Sequence, residues 1–281
     1  MIRTLTVLGA GTMGHGNAYA AVSAGYETRL YDPSPAQLQK AQAAVRAILQ
    51  KGVELGKASA ADADAAAARL QVTSETAAAL AGTDFVIEAA PEKIDLKLAL
   101  FADIEQHAPP DAVIATNTSA LSITEMAGSI GRPSRVAGMH FFNPVHKMKL
   151  VEIVRALESS DATLAAVEAV SRQMGKETVL VRESPGFITT RVNASIGNEA
   201  FYMLMEGVAS ARDIDKALKL GLNHPMGPFE LGDLVGLDTR LSILEYLHKS
   251  MGEKYRPCPL LAQYVKAGRL GKKVGKGVYE Y

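Results

Sequence analysis

The chain has 281 residues, 48% of them hydrophobic and 21% charged, ordinary proportions for a globular protein with material for one large domain or two smaller ones. Its 30 Lys and Arg balance 30 Asp and Glu, which gives no support for a broad nucleic-acid or anionic-membrane surface. The one cysteine, Cys258, excludes an intrachain disulfide framework and suits a reducing compartment.

In chain order, "TLTVLG", "ETRLYD", "DFVIEAA", "AVIATNT", "RVAGMHF" and "KLVEIV" read as strands, with "TVLVRE" as the last. Between them, "MGHGNAYAAVSAG", "SPAQLQKAQAAVRAILQKG" and "KIDLKLALFADIEQHA" carry helical patterns. This alternation predicts an α/β Rossmann-type domain, a mostly parallel, doubly wound sheet with helices on both faces. The Ala-rich "ASAADADAAAARL" reads as a surface helix. The texture changes at Pro185-Gly186. The helical segments "TTRVNASIGNEAFYMLMEG", "SARDIDKALKLG", "LDTRLSILEYLHKSMG" and "PLLAQYVKAG" follow, so a nucleotide-binding domain over 1–184 and an all-α domain over 185–281 are expected. Ile196, Phe201, Met203, Leu204 and Met205 give the first of these helices more apolar surface than so small a domain buries alone. A homodimer through this domain is therefore expected. No apolar run reaches the roughly 20 residues that cross a bilayer, and the N-terminal stretch lacks the pattern of a signal peptide. A cytoplasmic protein is expected, with no membrane or nucleic-acid partner and no metal.

"TVLGAGTMGHG" passes from a strand into a helix and sets Gly9, Gly11 and Gly14 in G-x-G-x-x-G spacing, with Thr12 and Met13 inside the turn. Gly9 permits the turn, Gly11 lets backbone approach a pyrophosphate, and Gly14 lets helix and strand pack closely. The helix N-terminus offers N–H groups to phosphates. Asp32, ending the next strand, stands where a carboxylate accepts from ribose hydroxyls and repels a 2′-phosphate. NAD is the expected cofactor. Arg29 leaves some NADP use open, and the alternative is a glycine-rich turn that binds FAD or nothing.

Ligands of an open parallel sheet gather beyond the carboxyl ends of its strands, which brings Asn117, Ser119, His140 and Asn143 to one edge. A secondary alcohol that loses a hydride must also lose its hydroxyl proton, and a histidine suits that work. His140 closes an apolar strand, and Glu152 interrupts the next one, "LVEIV". A carboxylate there is costly unless paired, and an orienting carboxylate is what a catalytic imidazole needs. His146, in the same loop, is the competitor; His140 is preferred because it follows the strand directly and has an evident partner.

With "GAGTMG", "DFVIEAAPE", "NTSALSIT", "GMHFFNPVHKMKLVEIV", "SPGF", "DIDKALKLGLNHPMGPFELGDLVGLD" and "GRLGKKVGKGVYEY", the chain resembles the 3-hydroxyacyl-CoA dehydrogenase family nearly end to end, especially its short bacterial 3-hydroxybutyryl-CoA members. The resemblance implies an NAD-dependent (S)-3-hydroxyacyl-CoA dehydrogenase with an acyl-CoA substrate and a helical dimerisation domain. It implies a His140–Glu152 acid–base pair, with Ser119 beside the substrate oxygen and nicotinamide. Cofactor contacts carry over to Asp32, Glu92, Lys97, Asn117, Asn143 and Lys273. In "PGFITTR", Thr190 replaces the family's asparagine, so the donor to the thioester-side oxygens is either Thr190 or Asn193, three residues on. Lys51 and Lys57, after the long helix, are candidates for CoA phosphates or a plain solvated end. Two other readings remain: a related dehydrogenase of a free hydroxy acid or sugar acid, and a non-catalytic NAD-binding regulator.

Overall fold

The strand-rich segments pair into one sheet: β1 (Thr4–Leu8), β2 (Glu27–Tyr31), β3 (Leu70–Thr73), β4 (Phe85–Glu88), β5 (Val113–Thr116), β6 (Val136–Phe141), β7 (Leu150–Arg155) and β8 (Glu177–Arg182). The computed structural model of the chain describes residues 2–281. The strand order is β3-β2-β1-β4-β5-β6-β7-β8. Neighbours are parallel except β6 and β7, which are antiparallel. The order reverses between β1 and β4, the switch point where such sheets hold ligands. Seven helices accompany the sheet: α1 (Thr12–Ser23), α2 (Pro35–Glu54), α3 (Ala60–Ala68), α4 (Thr76–Leu80), α5 (Ile94–His107), α6 (Ile123–Gly128) and α7 (Asp161–Gln173).

Side-chain alternation along the strands separates two faces. Phe85 and Ile87 of β4, Met139 and Phe141 of β6, and Val151 and Ile153 of β7 join a core containing residues of α1, α2, α3 and α7. The alternating positions, Glu88, His140 and Glu152, therefore turn to the opposite face. There a Cβ on Gly138 would stand 2.5 Å from Cδ1 of Ile123 on α6, so that glycine lets α6 close on the sheet. The Ala-rich segment is more than surface, since Ala63 and Ala66 of α3 enter the core.

The chain divides into units of residues 1–183 and 184–281. The second contains α8 (Thr189–Met205), α9 (Ala211–Gly221), α10 (Pro228–Val235), α11 (Leu237–Met251) and α12 (Pro259–Lys266). Phe201, expected on the apolar surface, is in this unit's core, with its ring 5.1 Å from that of Phe229. Two buried carboxylates organise the rest. Asp215 accepts from the N–H of Phe229 and Glu230 at the start of α10, at 2.9 and 3.1 Å, and from the Tyr279 hydroxyl at 2.7 Å. Asp233 accepts from the N–H of Val278 and Tyr279, both at 2.9 Å, and from the Tyr281 hydroxyl at 3.0 Å. The terminal "GKGVYEY" is thereby sewn to the helices. Burial and the neighbouring carboxylates push both tyrosine hydroxyls above the ordinary phenol range.

Candidate active site

β1 delivers the chain into the glycine turn. Gly9 has φ +99°, and a Cβ on Gly14 would stand 1.7 Å from the Gly9 carbonyl oxygen, a contact no side chain survives. A Cβ on Gly11 would instead meet nothing within 4 Å, so the backbone there is open to approach. Gly11 is also the N-cap of α1, and no described side chain caps that end. The first-turn N–H groups and the dipole of this 12-residue helix are thus available to an anion. Asp32 spans the turn and the start of α2. Its two oxygens accept from Ala10 N–H at 2.9 Å and Ser34 N–H at 3.0 Å. Each oxygen keeps acceptor capacity for a ribose hydroxyl.

His140 and Glu152 are opposite residues of the β6–β7 ladder. The antiparallel register sets their side chains side by side on one face. Nδ1 of His140 is 2.7 Å from Oε2 of Glu152. The imidazole is 3% exposed and the carboxylate not at all, so their attraction is little screened by water. The Phe142 ring packs 4.6 Å from the imidazole. His146 lies elsewhere. Val145 covers Gly16 of α1 and His146 stacks edge-on to Tyr19 of α1, on the face that His140 does not use. Burial, then Lys147 and Lys176, push its pKa below the usual histidine range. Among the described residues no carboxylate pairs with it.

The remaining edge residues are tied to one another. Asn117 donates its N–H to the Glu88 carbonyl at 2.7 Å and accepts at Oδ1 from Phe141 N–H at 2.8 Å, joining the ends of β4, β5 and β6. Oε1 of Glu92 accepts from the Thr118 hydroxyl at 2.6 Å and from the N–H of Ser119 and Ala120 at 2.8 and 3.1 Å, holding the loop that carries Ser119. Asn143 is exposed beside His140's strand.

Lys97 lies beneath this edge, on α5. It is 1% exposed, and its ammonium donates to both oxygens of Glu88 at 2.7 and 2.8 Å and to the Ala90 carbonyl at 3.2 Å. The ammonium is a buried counter-ion to Glu88 and stands 3.6 Å from Oε2 of Glu92. The sequence reading passed over Glu88, although it sits in "FVIEAA" as oddly as Glu152 sits in "LVEIV". Glu88 also accepts from Ala90 N–H and the Thr116 hydroxyl.

On the α1–α2 face, a cavity of about 1060 Å³ is lined by Lys51, Lys57, Lys147, Lys149, Lys176 and His146 over Ile48, Leu55 and Met148. Lys51 pairs with Glu54 at 2.9 Å, while Lys176 holds the 145–148 loop through its carbonyls. Of its lysines, only Lys51 and Lys57 stood out in the sequence. In the second unit, Thr190 and Asn193 are half-buried on α8. Lys273 contacts Asp238 at 2.6 and 2.7 Å, which helps hold that carboxyl below the usual range against the opposing effect of burial.

Comparison with known proteins finds the NAD binding domain of 3-hydroxyacyl-CoA dehydrogenase over residues 4–184 and the C-terminal domain of the same enzymes over 186–281. A probable 3-hydroxybutyryl-CoA dehydrogenase of Bacillus subtilis is 45% identical across 100% of this chain and 98% of its own. The 3-hydroxybutyryl-CoA dehydrogenase of Bradyrhizobium diazoefficiens is 42% identical across 100% and 96%. The crystal structure of an (S)-3-hydroxybutyryl-CoA dehydrogenase from Ralstonia eutropha superposes with a TM-score of 0.95 at 45% identity, covering 100% of this chain and 99% of that one.

Proposed function

The chain belongs to the 3-hydroxyacyl-CoA dehydrogenase family and is an NAD-dependent oxidoreductase acting on a CH–OH group, and from this premise we propose that it interconverts (S)-3-hydroxybutyryl-CoA and acetoacetyl-CoA with His140 as general base and acid. The observation that carries the assignment of roles is the 2.7 Å contact between His140 Nδ1 and Glu152. A carboxylate at Nδ1 holds the proton there and leaves the other ring nitrogen as the base. That nitrogen takes the 3-hydroxyl proton in oxidation and returns it in reduction. The adjacent negative charge stabilises the imidazolium formed in between.

The residues of the glycine turn fit a dinucleotide, since Gly11 leaves the backbone open and α1 begins there. Gly9, Gly11, Thr12, Met13 and Gly14 are proposed to hold its pyrophosphate and Asp32 its ribose. Glu92, Asn117, Ser119 and Asn143 line the same sheet edge, and Lys273 is proposed to add a charge. NAD, when bound, supplies the hydride acceptor. Ser119, with Thr190 or Asn193, is proposed to donate to substrate oxygens. The lysine-lined cavity suits a polyanion on an apolar floor, and Lys51 and Lys57 are proposed to meet CoA phosphates there.

NADH oxidation with acetoacetyl-CoA and with free acetoacetate tests the reading. Turnover is expected only with the thioester; equal rates with the free acid would give the reaction to a hydroxy-acid dehydrogenase, and none with either to a binding protein. A homodimer through the helical unit is also proposed. Val192, Met205, Val208, Leu220 and Leu222 remain 44–77% exposed there, a large apolar load for a surface facing water. Sedimentation at micromolar protein is expected to give twice the mass of the chain, and a monomeric mass would exclude it.

A further inference from the structure

Two side chains at the β2–α2 junction take hold of Ala10, in the middle of the glycine turn. Asp32 accepts the Ala10 N–H at 2.9 Å, and the Gln37 side-chain amide donates to the Ala10 carbonyl oxygen at 2.9 Å. Gln37 is not where its helix would ordinarily keep it. α2 opens with Ser34 as N-cap, whose hydroxyl accepts from Gln37 N–H at 3.3 Å, and "SPAQ" has the S-x-x-Q spacing of a capping box. In that motif the glutamine side chain returns to the N–H of the cap residue. Here Asp32 already accepts the Ser34 N–H at 3.0 Å, and the Gln37 amide reaches 27 residues back to the turn.

The Ala10 carbonyl and the Gly11 N–H belong to one trans peptide group, so they point in opposite directions. Holding the carbonyl toward α2 aims the N–H away from it. Among the described residues nothing accepts that N–H, and a Cβ on Gly11 would meet no atom within 4 Å. The donor is fixed in direction and left open. We propose that Gln37 is a positioning residue for the cofactor, which holds the Ala10–Gly11 peptide so that the Gly11 N–H meets the pyrophosphate of NAD. This rests on the reading of the glycine turn and Asp32 as the dinucleotide site. A peptide free to rotate has to be ordered on binding, and that cost lowers affinity. The pyrophosphate takes no part in hydride transfer and is held alike before and during it, so the effect falls on cofactor binding and spares turnover.

The test compares the full-length wild type with Gln37→Met, Gln37→Glu and Asp32→Ala, by fluorescence titration with NADH and by initial rates of acetoacetyl-CoA reduction. Methionine keeps the length of glutamine without its donor. Gln37→Met is expected to raise the Kd and KM of NADH, and the inhibition constant of ADP-ribose, which retains the pyrophosphate, by about three- to tenfold. kcat and the KM of acetoacetyl-CoA are expected to stay within about twofold of the wild type. Gln37→Glu keeps the shape, cannot donate when ionised and adds a charge that the pyrophosphate repels, so its loss of NADH affinity is expected to be at least as large. It also serves as the reading should Gln37→Met not fold. A Gln37→Met protein that melts earlier yet binds NADH and ADP-ribose as before would make the glutamine a strut between helix and turn, and overturns the proposal. A fall in kcat with unchanged NADH affinity overturns it too. NADH binding weakened by Asp32→Ala but not by Gln37→Met overturns this inference alone; binding unchanged in both overturns the dinucleotide reading of the turn as well.

Discussion

Substitution His140→Ala is expected to lower the turnover of acetoacetyl-CoA with NADH by about a hundred- to ten-thousand-fold, the range that a positioned acid or base contributes. The alcohol oxygen carries developing charge as the carbonyl is reduced, and without the imidazole only solvent can protonate it. Its placement is not a matter of loop conformation. β6 and β7 set His140 and Glu152 as opposite residues, and the 2.7 Å contact fixes the ring's tautomer from within the sheet. Glu152→Gln keeps the shape and removes the charge, so it is expected to reduce turnover too. Retained near-normal reduction by folded His140→Ala, checked by circular dichroism and NADH binding, would remove this histidine from the chemistry.

The second large effect is on stability. Lys97→Met is expected to destabilise the protein by about 3–5 kcal/mol, the cost of leaving one member of a buried ion pair behind. The Glu88 carboxylate and the Lys97 side chain are 0% and 1% exposed, so no water replaces the lost ammonium. Thr116 and Ala90 still donate to Glu88, but hydrogen bonds alone do not neutralise it. Denaturant unfolding of the single variant and of Glu88→Leu with Lys97→Met measures the term. The double variant is expected to recover most of the loss, since apolar replacement of a buried pair is often neutral or stabilising. A single variant within about 1 kcal/mol of the wild type would mean that the pair is worth no more than a surface ion pair.

The parts of this structure legible in sequence are those governed by near neighbours. The glycine turn and Asp32 belong to one strand–helix–strand unit, and His140 and Glu152 betray themselves as polar residues in apolar strands. β3 was not anticipated because "LQVT" is short and stands as a strand only by pairing with β2 at Thr28–Tyr31. α10 hid inside the Pro- and Gly-rich "HPMGPFELGDLVG"; its first turn is capped by Asp215, more than a dozen residues earlier. The ion pair of Lys97 with Glu88 is not legible in sequence, because the two residues stand on different elements and meet only when α5 packs on the sheet. Arg240 of α11 is similarly silent: it is buried, and its guanidinium lies against α8 at Gly197, where there is no side chain.

The β6–β7 hairpin gives proton transfer an unusual independence from its own connecting loop. What faces what is decided by ladder phase, so lengthening or shortening residues 142–149 would leave the imidazole opposite its carboxylate. Losing a single residue inside β7 would instead bring Val151 or Ile153 to that layer and send the acid to the other. The loop meanwhile carries four lining residues of the lysine-lined cavity, at positions 146 to 149. Descendants of this chain can therefore remodel what grips the carrier end of a substrate while the machinery that moves hydrogen ions is inherited intact.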